Sequence, residues 1–74
     1  MYQGKTPNAL MNMQRWFHHK MEFKRTEHGN PYFEYNGKRI MWRKKKGGGT
    51  FIIYFPENFK RTTDDFFTAY EMMR

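Results

Sequence analysis

Asn36-Gly37 stands between two runs that alternate like strands, and that dipeptide constrains the fold more than any other feature of the chain. A two-residue hairpin of type I′ needs positive φ at both central positions, and Asn followed by Gly supplies this at least steric cost. With Asn36 and Gly37 as the loop, counting outward sets the register. Tyr35 falls opposite Lys38, Glu34 opposite Arg39, Phe33 opposite Ile40 and Tyr32 opposite Met41. Strand side chains alternate between faces. Phe33, Tyr35, Ile40 and Trp42 therefore share one face, marked as core by its apolar content. Tyr32, Glu34, Arg39, Met41 and Arg43 share the other.

The flanking segments extend this hairpin into an α+β domain. Thr6 reads as a helix N-cap with Pro7 at the first helical position, where a missing N–H costs nothing. Ala9, Leu10, Met13, Trp16 and Phe17 then recur at helical spacing until about His19 or Lys20. Residues 21–25 alternate weakly, as a short edge strand would, and His28-Gly29-Asn30-Pro31 is a turn. Residues 50–55 are apolar on both faces and suit a central strand. A four-residue turn from Lys46 to Gly49 would set Trp42 opposite Ile53 and Ile40 opposite Phe55. Pro56 ends that strand, and Thr62 or Thr63 caps a last helix whose early Asp64 and Asp65 suit the helix dipole. Phe66, Tyr70 and Met73, flanked by Phe67 and Ala69, would face the sheet. The expectation is a single domain over residues 1–74, with an N-terminal helix, a three- to four-stranded antiparallel sheet and a C-terminal helix on one sheet face.

A chain of 74 residues without cysteine must hold this fold by packing alone. Its apolar side chains are eight Phe, five Tyr, two Trp and seven Met, against one Leu, three Ile and no Val. Rings bury large areas each, and flexible Met fills the gaps that rings leave. Serine is absent as well, which removes the second of the two commonest side-chain nucleophiles. Asp64 and Asp65 are sequence neighbours at a helix start and do not converge, so no catalytic pair is expected and the chain does not read as an enzyme. His18, His19, Glu22 and His28 are the possible metal ligands, but adjacent helical residues diverge by about 100°. No metal and no cofactor is expected.

The net charge is +7, and it is concentrated. Residues 15–46 hold ten Lys or Arg against three Glu, ending in Arg43-Lys44-Lys45-Lys46-Gly47-Gly48-Gly49. Cations that neutralise phosphates release counterions and supply most non-specific affinity for nucleic acid. The expected interface is Tyr32, Arg39, Met41 and Arg43 on the sheet face opposite the core, extended by Lys44, Lys45 and Lys46 at the hairpin tip. DNA is placed ahead of RNA as the partner. The Lys-Gly run is no P-loop, because glycine follows lysine and the context is a hairpin. The order of strand, hairpin, strand and C-terminal helix over about residues 32–73 resembles the small three-stranded DNA-binding domains at the start of some phage integrases. That resemblance implies a sheet that enters the major groove; the leading helix from Thr6 is not part of the pattern.

A second class of function competes with this one. Met11, Met13, Met21, Met72 and Met73 with Trp16 could form a surface for a protein partner or a second copy. The chain would then be a small phage- or mobile-element-type protein that binds and modulates or inhibits a larger one, its basic hairpin docking on an acidic surface. The short length and the excess of Lys, Phe, Tyr and Met suit such a source. No apolar stretch approaches the roughly 20 residues that span a bilayer and no signal-peptide pattern is seen, so a cytoplasmic protein without a membrane partner is expected.

Overall fold

The computed structural model describes residues 6–74; Lys5, the one charge among the first fourteen residues, lies outside them. In chain order the elements are α1 (Asn8–Trp16), β1 (Glu22–Arg25), β2 (Pro31–Tyr35), β3 (Lys38–Lys45), β4 (Gly48–Phe55), β5 (Phe59–Thr63) and α2 (Phe66–Met73). The strands form one antiparallel sheet in sequence order. Both helices pack on a single face of it. The fold is α+β, with one strand more than the upper count expected.

The first hairpin follows its sequence signal. Asn36 and Gly37 both take positive φ, 51° and 79°. Phe33 pairs with Ile40, Glu34 with Arg39 and Tyr35 with Lys38. The second hairpin is tighter than the four-residue loop expected over 46–49. Lys45 lies opposite Gly48, leaving Lys46 and Gly47 as the turn, with Gly47 in the left-handed region at φ 83°. Trp42 thus faces Phe51, and Ile40 faces Ile53. Because the slip is two residues, the inward set of Phe51, Ile53 and Phe55 is unchanged. Gly49 belongs to the strand for a packing reason: the indole of Trp42 lies where a Cβ on Gly49 would stand.

The strand absent from the sequence reading is β5. Pro56 does not end the sheet but opens a three-residue turn, in which Asn58 adopts φ 66° and its N–H bonds Phe55 O at 3.1 Å. Pro at the first turn position and Asn in the left-handed position are the chemistry such a loop needs. Phe59 then stacks on Phe55, its partner in register, with ring centroids 4.6 Å apart.

Both helix boundaries also differ from expectation. Pro7, not Thr6, is the α1 N-cap, and its carbonyl accepts from the N–H of Leu10 and Met11. The helix ends at Trp16 because His18 and His19 turn into the left-handed region, at φ 56° and 59°. This reverses the chain toward β1. At α2 the cap is Asp65 in place of Thr62 or Thr63, its carboxylate accepting from Thr68 N at 2.8 Å and Thr68 Oγ1 at 2.7 Å.

The core joins Leu10, Met13 and Phe17 of the first helical segment, Met21 just ahead of β1, Phe33, Ile40, Phe51 and Ile53 of the sheet, and Ala69 and Met73 of α2. Trp16 stays half exposed beside Phe66, Phe67 and Tyr70 instead of entering it. Gln14 is a buried polar exception. Its Nε2 donates to Met21 O at 2.7 Å and its Oε1 accepts from Met21 N at 3.0 Å. One amide thereby satisfies both backbone groups of Met21 and ties α1 to the start of the sheet.

Candidate nucleic-acid interface

With both helices on one side, no helix among the described residues covers the opposite sheet face, and the strand registers arrange its side chains in rows. The first row runs Glu22, Glu34, Arg39, Tyr54 and Lys60 across all five strands. In the next, Lys24 pairs with Tyr32 on one side, and Met41, Ile52 and Thr62 continue on the other. Arg43 and Thr50 form the third, with Asp64 beyond them. The middle is apolar and partly sunk: Ile52 is buried, Met41 is intermediate, and Tyr54 is 39% exposed. Cations surround this strip.

Two acidic groups of the face, Glu34 and Asp64, are already engaged, whereas Glu22 on the edge strand enters no ion pair among the described residues. Glu34 Oε1 accepts from Lys24 Nζ at 3.0 Å and lies 4.0 Å from Arg39 Nε. The hydrogen bond to Glu34, with the charge of Glu22 beside it, holds the Lys24 ammonium above its ordinary pKa. The Arg39 guanidinium also sits 5.5 Å from the centre of the Tyr32 ring, a cation–π distance. Asp64 accepts from Lys45 Nζ at 2.7 Å and from Thr50 Oγ1 at 2.5 Å. Those two bonds, Lys45 first, hold its carboxyl below the usual carboxylate value. Among the described residues, Arg43, Lys44, Lys46 and Lys60 enter no ion pair.

The seven residues expected to form the interface are therefore not one cluster. Tyr32, Arg39, Met41, Arg43 and Lys45 share the open face. Lys44 alternates onto the helix side, beyond Trp42, and Lys46 occupies the turn. Lys45 is neutralised by Asp64 instead of pointing free at the tip. Outward from Arg43 and Thr50, β3 and β4 run on as a two-stranded ribbon, since β5 stops pairing at Phe51.

Tyr54 and Lys60 belong to the face but were absent from the expected set. Alternation along 50–55 already sets Tyr54 on the side of Ile52, away from Phe51 and Ile53, so that signal existed. Lys60 carried none until β5 was recognised. On the other side of the molecule, the methionines proposed as a partner surface mostly serve the core: Met13, Met21 and Met73 are buried, and Met72 is partly so. Met11 stays exposed at 37%, beside the exposed rings of Trp16 at 49% and Phe67 at 58%. Among the described residues no three His, Asp or Glu side chains gather as a metal set, and no helix is long and apolar enough to cross a membrane. No protein-family model, curated protein or solved structure matches the chain.

Proposed function

We propose that the protein binds nucleic acid through the open sheet face and the β3–β4 ribbon. The observation that carries this reading is the face itself: Tyr32 and Tyr54 among Arg39, Arg43 and Lys60, with Glu34 in the middle of the sheet already held by Lys24 and Arg39 and Glu22 set apart on the edge strand. Such a surface offers rings for bases and cations for phosphates. The ribbon adds Lys44 and Lys46, and a two-stranded ribbon is narrow enough for the DNA major groove. Titration of labelled DNA and RNA at two salt concentrations tests it. Binding that weakens steeply with salt is expected, and Lys44, Lys45 and Lys46 changed together to Ala should flatten the log–log slope by about 0.9 for every duplex phosphate they neutralise. A folded triple variant with an unchanged isotherm and slope would remove the ribbon from the interface.

A second reading rests on the helix layer. Trp16 lies edge-on to Phe66, Phe67 and Tyr70 at 5.4–5.6 Å, and this half-exposed ring cluster is the kind of anchor that protein interfaces favour. It supports a modulator that holds a larger protein by its helices. Retention of one defined protein from a nuclease-treated lysate, lost on Trp16→Ala and without any nucleic-acid shift, would favour this alternative.

A further inference from the structure

The first row of the open face sets one ring between two cations: Arg39 and Tyr54 are direct cross-strand partners, and so are Tyr54 and Lys60. Partners of this kind hold their Cβ atoms about 5 Å apart, close enough to act on one ligand. Beside the row lies an open cleft of about 660 Å³, lined by Arg39, Tyr54 and Lys60 with Asn58, Phe59 and Pro56 of the last hairpin, and no acidic side chain lines it. A recess of several hundred Å³ with a ring and a few polar groups is of the size that takes a small ligand or one nucleotide.

Width decides which nucleic acid this row can use. Five strands spaced about 4.8 Å apart make a face roughly 19 Å across, whereas the B-DNA major groove is about 12 Å wide. Tyr54 is on the next-to-last strand, flanked by β3 and β5, so it cannot follow the ribbon into that groove. In a duplex the faces of the bases are covered by their neighbours. An aromatic side chain on a sheet stacks only on a base that has left the helix.

We propose that the Arg39–Tyr54–Lys60 row is a subsite for single-stranded nucleic acid, in which an unpaired base stacks on Tyr54 and Arg39 and Lys60 hold the phosphates on either side. This rests on the nucleic-acid reading above and gives that interface its substrate class. The full chain is titrated by fluorescence anisotropy with a labelled twelve-residue oligothymidylate and, separately, with a labelled duplex of mixed sequence. Tyr54→Ala should weaken the single strand about 5- to 150-fold, the worth of one stacked base, and change the duplex less than twofold. Tyr54→Phe keeps the ring and should bind the single strand within about threefold of wild type. Arg39→Gln with Lys60→Gln should lower the salt dependence for the single strand by about 0.7 in log–log slope for each phosphate the two side chains hold. Equal losses for both ligands in Tyr54→Ala, or no loss in either, would overturn the proposal. Wild-type binding to duplex alone would also overturn it while leaving the nucleic-acid reading standing. Binding to neither ligand would remove both. Tyr54 is exposed, and a far-UV spectrum matching wild type verifies that the variants fold.

Discussion

At the scale of single residues, two positions do work that their chemistry alone does not announce. Gly49 gives its side-chain space to the Trp42 indole, so any added atom must push the ring off the sheet. Gly49→Ala should destabilise the protein by about 1–3 kcal/mol, the usual cost of overpacking, and shift the tryptophan emission. Gly47→Ala at φ 83° meets nothing within 4 Å and should cost only the left-handed strain, about 1–2 kcal/mol, with emission unchanged. Denaturant melts read both. Gln14 is the other such residue, because its amide answers both the N–H and the C=O of buried Met21. Gln14→Ala should cost about 1–3 kcal/mol for each of the two backbone groups it orphans, and Gln14→Glu should be worse near neutral pH, where a carboxylate would meet the Met21 carbonyl.

At the scale of elements, caps and turns decide where each segment stops, and one of them titrates. The hydrogen bonds from Thr68, side chain first, hold the Asp65 carboxyl below its ordinary value. A depressed folded-state pKa contributes stability that is complete above the unfolded value of about 3.9 and is lost as pH falls through the folded one. Thermal midpoints measured from pH 6 to pH 2.5 should therefore fall below about pH 4. In Asp65→Asn, a cap that does not titrate, that fall should be shallower. The elements differ in how plainly the chain declares them. Asn36-Gly37 has a single sterically favoured use, so the first hairpin and its register were legible outright. The Lys46 turn was not, because three successive glycines permit several loops and the choice rests on where the Trp42 ring lands. β5 was hidden by Pro56, which begins a turn as readily as it ends a strand. The end of α1 was hidden by two histidines in a conformation that histidine seldom adopts. The inward and outward faces survived these errors because the one register slip was by two, an even number, and the side-chain period is also two.

At the scale of the molecule, an excess of seven positive charges is a field as well as a set of local interactions, and the two need separating. Removing any carboxylate raises the net charge by one and strengthens attraction to a polyanion everywhere. Only a carboxylate that restrains an interface cation should alter the number of phosphates engaged. Asp64 is such a group, since it holds Lys45 at 2.7 Å beside the ribbon, whereas Glu71 pairs with Arg74 at 3.4 Å at the far end of α2. Asp64→Asn and Glu71→Gln are thus equal in charge and unequal in place. If the ribbon meets duplex phosphate, Asp64→Asn should bind more tightly and steepen the log–log salt slope by about 0.9, the increment for one more phosphate neutralised. Glu71→Gln should leave the slope as it is. Equal slopes in the two variants would mean that affinity follows net charge alone, and Lys45 would then be a strut of the fold, tied to Asp64, which Thr50 also bonds, with no part in the interface.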